Sequence, residues 1–169
     1  MRLMIAIAAA SLVAGCSEDA PTQQNEVAPA TVPEGQYEAS WTVTQLRSVD
    51  RTTPATNLKQ DASGTTTGCV GDGGKIDPAM FAEDGDECTA SNAYVRNGRI
   101  NFDVKCTREG DAGEIRQSVS GTYTADGFEA EVSTTTYLAA AGDYALVRTF
   151  KAKRVGECPP ASESAENAS

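Results

Sequence analysis

Between residues 34 and 158 apolar and polar side chains alternate in short runs, the period of half-buried β-strands. Tyr37, Ala39, Trp41 and Val43 alternate with Glu38, Ser40, Thr42 and Thr44. Thr65–Val70 reads as a threonine-rich second strand. Ala90–Val95 and Ile100–Cys106 flank Arg96-Asn97-Gly98-Arg99, a strong hairpin signal. In the second arm Ile100, Phe102, Val104 and Cys106 share one face, opposite Asn101, Asp103 and Lys105. Ile115–Tyr123 and Phe128–Tyr137 flank Asp126-Gly127, another hairpin, and Tyr144–Val155 makes the last strand. Successive hairpins predict an all-β fold: an antiparallel, mostly up-and-down curved sheet or partly open barrel of about seven strands. The one helix signal is Asp77-Pro78-Ala79-Met80-Phe81-Ala82, with aspartate at the N-cap and proline in the first turn, and Glu83-Asp84-Gly85-Asp86 ends it.

The two ends break the alternation. Met1-Arg2 precedes an apolar run of eleven residues, Leu3–Val13, which is too short to span a bilayer and has the length of a signal-peptide core. Leu12-Val13-Ala14-Gly15-Cys16 follows and resembles the bacterial lipobox, in which cleavage before the cysteine is coupled to its lipidation. Residues 1–15 are accordingly expected to be removed and Cys16 to carry the lipid anchor; the plainer reading is an ordinary secretory signal with Cys16 as an unmodified cysteine. Acyl chains contribute about 0.8 kcal/mol per buried methylene, so multiple chains anchor stably. Ser17 occupies the position where an inner-membrane retention signal would place aspartate, which favours the outer membrane, facing the periplasm. Residues 16–33 read as a lipidated, disordered tether of proline and polar residues, with a reach on the order of 20–25 Å as a coil. The β domain then covers 34–158, and 159–169 is a polar tail.

Composition narrows the chemistry. With 24 acidic and 14 basic residues the net charge is −10, which argues against an electrostatic grip on nucleic acid. Loss of Arg2 with the signal would leave 13 basic residues against 24 acidic ones, so the acidity belongs to the exported part. The absence of histidine removes Ser-His-Asp and Cys-His catalytic devices and any zinc site with an imidazole ligand. Five cysteines divide as Cys16 for lipid plus Cys69, Cys88, Cys106 and Cys158, an even number in an exported chain. Two disulfides are expected; a four-thiolate zinc site competes weakly, since the spacings contain no Cys-x₂₋₄-Cys knuckle. A three-residue loop at Arg96-Asn97-Gly98 would place Cys88 opposite Cys106, whereas a two-residue Asn97-Gly98 loop would place it opposite Thr107. If the Asp77 helix crosses the sheet, the last strand ends beside the end of the second, and Cys158 meets Cys69. The expected pairs are Cys88–Cys106 and Cys69–Cys158.

The chain resembles DUF3617, a bacterial family of small exported proteins catalogued as a domain of unknown function. The resemblance rests on Pro33-Glu34-Gly35-Gln36-Tyr37-Glu38, Thr65-Thr66-Thr67-Gly68-Cys69-Val70 and Asp86-Glu87-Cys88. It continues through Gly98–Cys106, Gly121-Thr122-Tyr123 with Gly127-Phe128, and Lys153-Arg154-Val155-Gly156-Glu157-Cys158-Pro159. Glu34 stands inside the family's usual Pro-Gly opening, and methionine-rich stretches of relatives are threonine- and alanine-rich here. The resemblance implies location and build, and brings no reaction, ligand or catalytic residue.

Candidate chemistry is sparse. Glu83-Asp84-Gly85-Asp86-Glu87 offers oxygen ligands for calcium but lacks the EF-hand spacing, so a solvated loop is expected. Gly71-Asp72-Gly73-Gly74-Lys75 lacks the spacing and the hydroxyl of a phosphate loop, and Ser118 and Ser120 lack a nucleophile elbow. A carboxylate-based hydrolase is the distant alternative, because such sites are assembled in space. Lys151, Lys153 and Arg154 make the last strand locally basic, either to meet an anionic partner or to guard an exposed sheet edge. Tyr37, Trp41, Phe102 and Phe128 are candidates for an apolar ligand face, or are simply core. The sequence therefore predicts a non-catalytic, cofactor-free and metal-free module, held at the membrane through Cys16, that binds a small apolar ligand or an envelope protein.

Overall fold

The computed structural model describes residues 28–83 and 85–160. Eight strands form one antiparallel sheet: β1 Gly35–Ser48, β2 Ser63–Gly71, β3 Lys75–Ile76, β4 Asp86–Arg96, β5 Arg99–Arg108, β6 Asp111–Tyr123, β7 Gly127–Leu138 and β8 Tyr144–Gly156. Their order is β3-β2-β1-β8-β7-β6-β5-β4, and the sheet curls into a nearly closed barrel. The eighth strand is the two-residue β3, which pairs with the end of β2 through Val70 and Ile76. Among the described residues no helix is long and apolar enough to cross a membrane.

The alternation read from the sequence lines the barrel. Ile100, Phe102, Val104 and Cys106 of β5, Phe128, Ala130 and Val132 of β7, and Leu146, Phe150 and Ala152 of β8 point inward, while their neighbours face out. The helix signal resolves as a single 3-10 turn, Pro78–Phe81, capped by Asp77, whose Oδ1 accepts from the Ala79 N–H at 2.9 Å. This turn drops Met80 and Phe81 into the interior, where Phe81 meets Phe102 and Phe150 at ring distances of 5.7 and 5.1 Å. Gly68 makes room for it, since a Cβ there would lie 2.0 Å from Met80 Cγ.

The cysteines pair as Cys88–Cys106 and Cys69–Cys158. The route to the first pair differs from the expectation. Arg96 pairs with Arg99, so the turn is the two-residue Asn97-Gly98, both residues at positive φ. That turn alone would set Cys88 against Thr107. A β-bulge between Ser91 and Tyr94, with Asn92 at φ +53°, slips the register by one residue and restores Cys88 opposite Cys106. The second pair follows from strand direction: Cys69 and Gly156 both lie beside Gln36, on either side of β1.

Two expectations are corrected. β8 is an interior strand between β1 and β7, so its basic residues guard no edge. Lys151 and Lys153 sit on the outer face, with Lys151 3.0 Å from Glu129, while Arg154, paired with the buried Tyr37 at the end of the barrel, is bonded to Glu157 at 2.6 Å. The domain also begins before residue 34: Val32 is fully buried, and the Tyr123 hydroxyl donates to the carbonyls of Pro29 and Ala30. A valine able to fill the barrel end outweighs the prolines around it. Residues 1–27 and 161–169, including the predicted signal segment and Cys16, lie outside the described residues.

Candidate functional site

The long connection between β1 and β2 folds back over one end of the barrel. Asp50 stitches it to the β7–β8 loop, its Oδ2 accepting from Gly142 N at 2.7 Å and Asp143 N at 3.1 Å, while Oδ1 accepts from Thr52. These donors hold the Asp50 carboxyl well below the usual carboxylate range. Ala55 N donates to the Gly142 carbonyl, and Val43 N to that of Ala62. Between this loop, β2 and the Pro78–Phe81 turn lies a cavity of about 590 Å³, lined among others by Trp41, Leu58, Thr66, Met80, Glu83, Arg108 and Arg148.

Its charged wall is built from three strands and the segment after the 3-10 turn. Arg108, at the end of β5, donates from Nε and Nη2 to the two oxygens of Asp86 at 2.6 and 3.1 Å, and from Nη1 to the Ala55 carbonyl at 2.7 Å. Its Nη2 also lies 3.6 Å from Glu83. Glu83 accepts from the Tyr144 hydroxyl at 2.6 Å on one oxygen and from Thr56 at 2.5 Å on the other. The bonds to Asp86 push the Arg108 guanidinium above its ordinary value, and burial, with Glu83 nearby, pushes the Tyr144 phenol up. All four oxygens of the two carboxylates therefore accept a bond from the protein.

Arg148 is different. It projects from β8 into the barrel, 2% exposed, with its guanidinium 5.9 Å from the Trp41 ring and 5.2 Å from that of Phe150. Burial pushes its basicity down. Its Nη2 donates to the Phe81 carbonyl, which also accepts from Gln117 Nε2 at 2.9 Å. Nε has no hydrogen-bond partner, nor do the buried Gln117 Oε1 and Thr134 Oγ1. Gln117 and Thr134 face each other across β6 and β7, and Arg148 stands on β8 opposite Val132, two residues from Thr134. The barrel thus holds three buried polar side chains that each leave an atom unpartnered, the reverse of the usual rule for interiors, and of the three Arg148 lines the cavity.

Of the aromatic residues singled out in the sequence, only Trp41 lines this cavity. Tyr37, Phe102 and Phe128 are closed into the core, Tyr37 against Phe128 at 5.6 Å, so the four form no apolar ligand face. The acidic segment is not wholly solvated either: the side chains of Glu83 and Asp86 are 7% and 0% exposed, because Arg108 and Tyr144 draw them inward. Among the described residues no group of three histidine, cysteine or acidic side chains is placed to hold a metal. Ser118 and Ser120 lie exposed on the outer face, and Asp72–Gly74 forms a 3-10 turn leading to β3. Arg148, Gln117 and Thr134 were missed, although parity alone marks them: each falls on the inward phase of its strand.

Fold and site together define a disulfide-stapled, nearly closed antiparallel barrel with a polar cavity at one end. The chain belongs to the family described as Protein of unknown function (DUF3617), whose model matches residues 29–158. No curated protein and no solved structure matches it.

Proposed function

We propose that this chain is a periplasm-facing lipoprotein, anchored through Cys16, whose barrel is a non-catalytic receptor for a small ligand. The observation that carries the reading is the cavity of about 590 Å³ lined by a buried arginine whose Nε has no hydrogen-bond partner. Its volume falls in the range of small-molecule sites, and such sites combine apolar walls with a few placed polar groups. Trp41, Leu58 and Met80 supply the apolar wall and Arg148 the polar group. The carboxylates that a hydrolase would need are tied to Arg108, Tyr144 and Thr56, which supports binding over proton transfer. Placement at the envelope rests on the signal segment and the Leu12–Cys16 lipobox. The chain purified from bacterial membranes and weighed by native mass spectrometry is expected to carry both the acyl mass on Cys16 and a dissociable small molecule. A bare, unacylated chain would defeat both parts of the reading.

A second reading has one observation in its favour. β4 is an edge strand of eleven residues whose Tyr94 is 41% exposed, a surface on which an envelope protein could add a strand. A photocrosslinker at Tyr94 that captured one envelope protein reproducibly would support it.

A further inference from the structure

We infer, on the strength of the ligand-binding reading above, that the cavity selects a small monocarboxylate whose charged end pairs with Arg148 and whose apolar body packs against Trp41 and Met80. Arg148 is 2% exposed, and among the described residues no carboxylate lies within 4 Å of it. Its Nη2 reaches the Phe81 carbonyl and its face lies near the Trp41 and Phe150 rings, but Nε has no hydrogen-bond partner, so a cation stripped of its hydration keeps an open donor that a bound anion would fill. The other guanidinium of the cavity, Arg108, is spent on Asp86, the Ala55 carbonyl and Tyr144. The anion-seeking group of the cavity is therefore Arg148.

The carboxylate class follows from charge and shape. The planar guanidinium fork matches a planar carboxylate, and charge-assisted bonds of this kind exceed neutral ones. Glu83 stands on the same wall with both oxygens already engaged, an acidic neighbour that weighs more against a doubly charged phosphate than against a single carboxylate. The apolar contact is rigid on one side, because the Trp41 ring lies against Gly64, where a Cβ would fall 2.5 Å from Cζ2. Met80 is held by the capped 3-10 turn. A monoanion with an aromatic or short aliphatic body fits these walls.

The test uses the full chain carrying Cys16→Ser, titrated by calorimetry with 3-phenylpropionate, 3-phenylpropanol and 3-phenylpropyl phosphate. Trp41, the single tryptophan of the sequence, reports occupancy through its emission. The carboxylate is expected to bind about 10- to 100-fold more tightly than the alcohol, the equivalent of one charge-assisted hydrogen bond, and more tightly than the phosphate. Arg148→Met and Arg148→Gln should each bring the carboxylate to the level of the alcohol. Two variants are used because methionine fills the volume without charge, while glutamine keeps a donor; thermal melts identify whichever remains folded. Equal binding of alcohol and carboxylate, with Trp41 quenched by both, overturns the carboxylate assignment and leaves the receptor reading standing. Preference for the phosphate, or carboxylate affinity unchanged in the variants, likewise overturns it. Absence of binding by all three probes, with no co-purified small molecule, removes both.

Discussion

Single residues at the barrel end divide into those that hold the architecture and those that leave it unsatisfied. Asp50 belongs to the first kind. Its carboxylate accepts from two loops and is held below the ordinary aspartate value of about 3.9. A group depressed in this way contributes stability that is present above the unfolded value and is lost as pH falls through the folded one. Asp50→Asn is therefore expected to be less stable than the parent at pH 7, with the gap closing as the pH drops below about 4; urea melts from pH 7 to 3 would show it. Asp50 is exposed, so screening keeps the effect modest. Arg148 belongs to the second kind, and its legibility is instructive. Tyr144, Leu146, Phe150 and Ala152 share its phase in β8, so position alone marks it as inward. Its charge argues the opposite, and only the spatial neighbours, absent from a linear pattern, decide between the two. Glu83 and Asp86 were illegible for the same reason: their partner Arg108 lies more than twenty residues away in sequence.

At the level of elements, the strands were legible because each alternates against a one-sided core, and their ends moved by only a few residues. β4 is where the reading failed in detail. Both of its faces are largely exposed, so no burial pattern sets its frame, and the bulge at Asn92 leaves no hydrophobic trace. The Asn97-Gly98 turn is visible in the sequence, but without a bulge only a three-residue loop sets Cys88 opposite Cys106, and the molecule achieves that pairing with a two-residue turn and the bulge. Because the bulge absorbs one surplus residue, deletion of Asn92 should leave a regular ladder with Cys88 still opposite Cys106. Thiol titration of the deleted chain under denaturing, non-reducing conditions is expected to find that pair unreactive. Asn92→Val, by contrast, puts a β-branched residue at φ +53° and should cost about 1–2 kcal/mol in a denaturant melt. A disulfide lost on the deletion would show that the bulge does more than take up slack.

For the molecule as a whole, Cys69–Cys158 joins the end of β2 to the segment after β8 and closes a loop of 89 residues. Chain entropy assigns such a loop roughly 4–5 kcal/mol, acting through the unfolded state. Cys69→Ser with Cys158→Ser should lower stability on that scale without altering the strand order, as denaturant melts and amide-exchange patterns would reveal. Survival of full stability would mean that the unfolded chain already holds these ends together. The sequence anticipated this bridge from strand direction, and strand direction carries one more consequence. Setting aside the two-residue β3, the long strands number seven, and each neighbour reverses the last, so β2 and β4 run the same way. An odd ring of reversals cannot close on itself with antiparallel rungs. In this sheet β2 and β4 are not paired with each other, and the Pro78–Phe81 turn packs against both, so the two ends of the sheet are joined there by side chains on one turn of backbone and not by a ladder of hydrogen bonds.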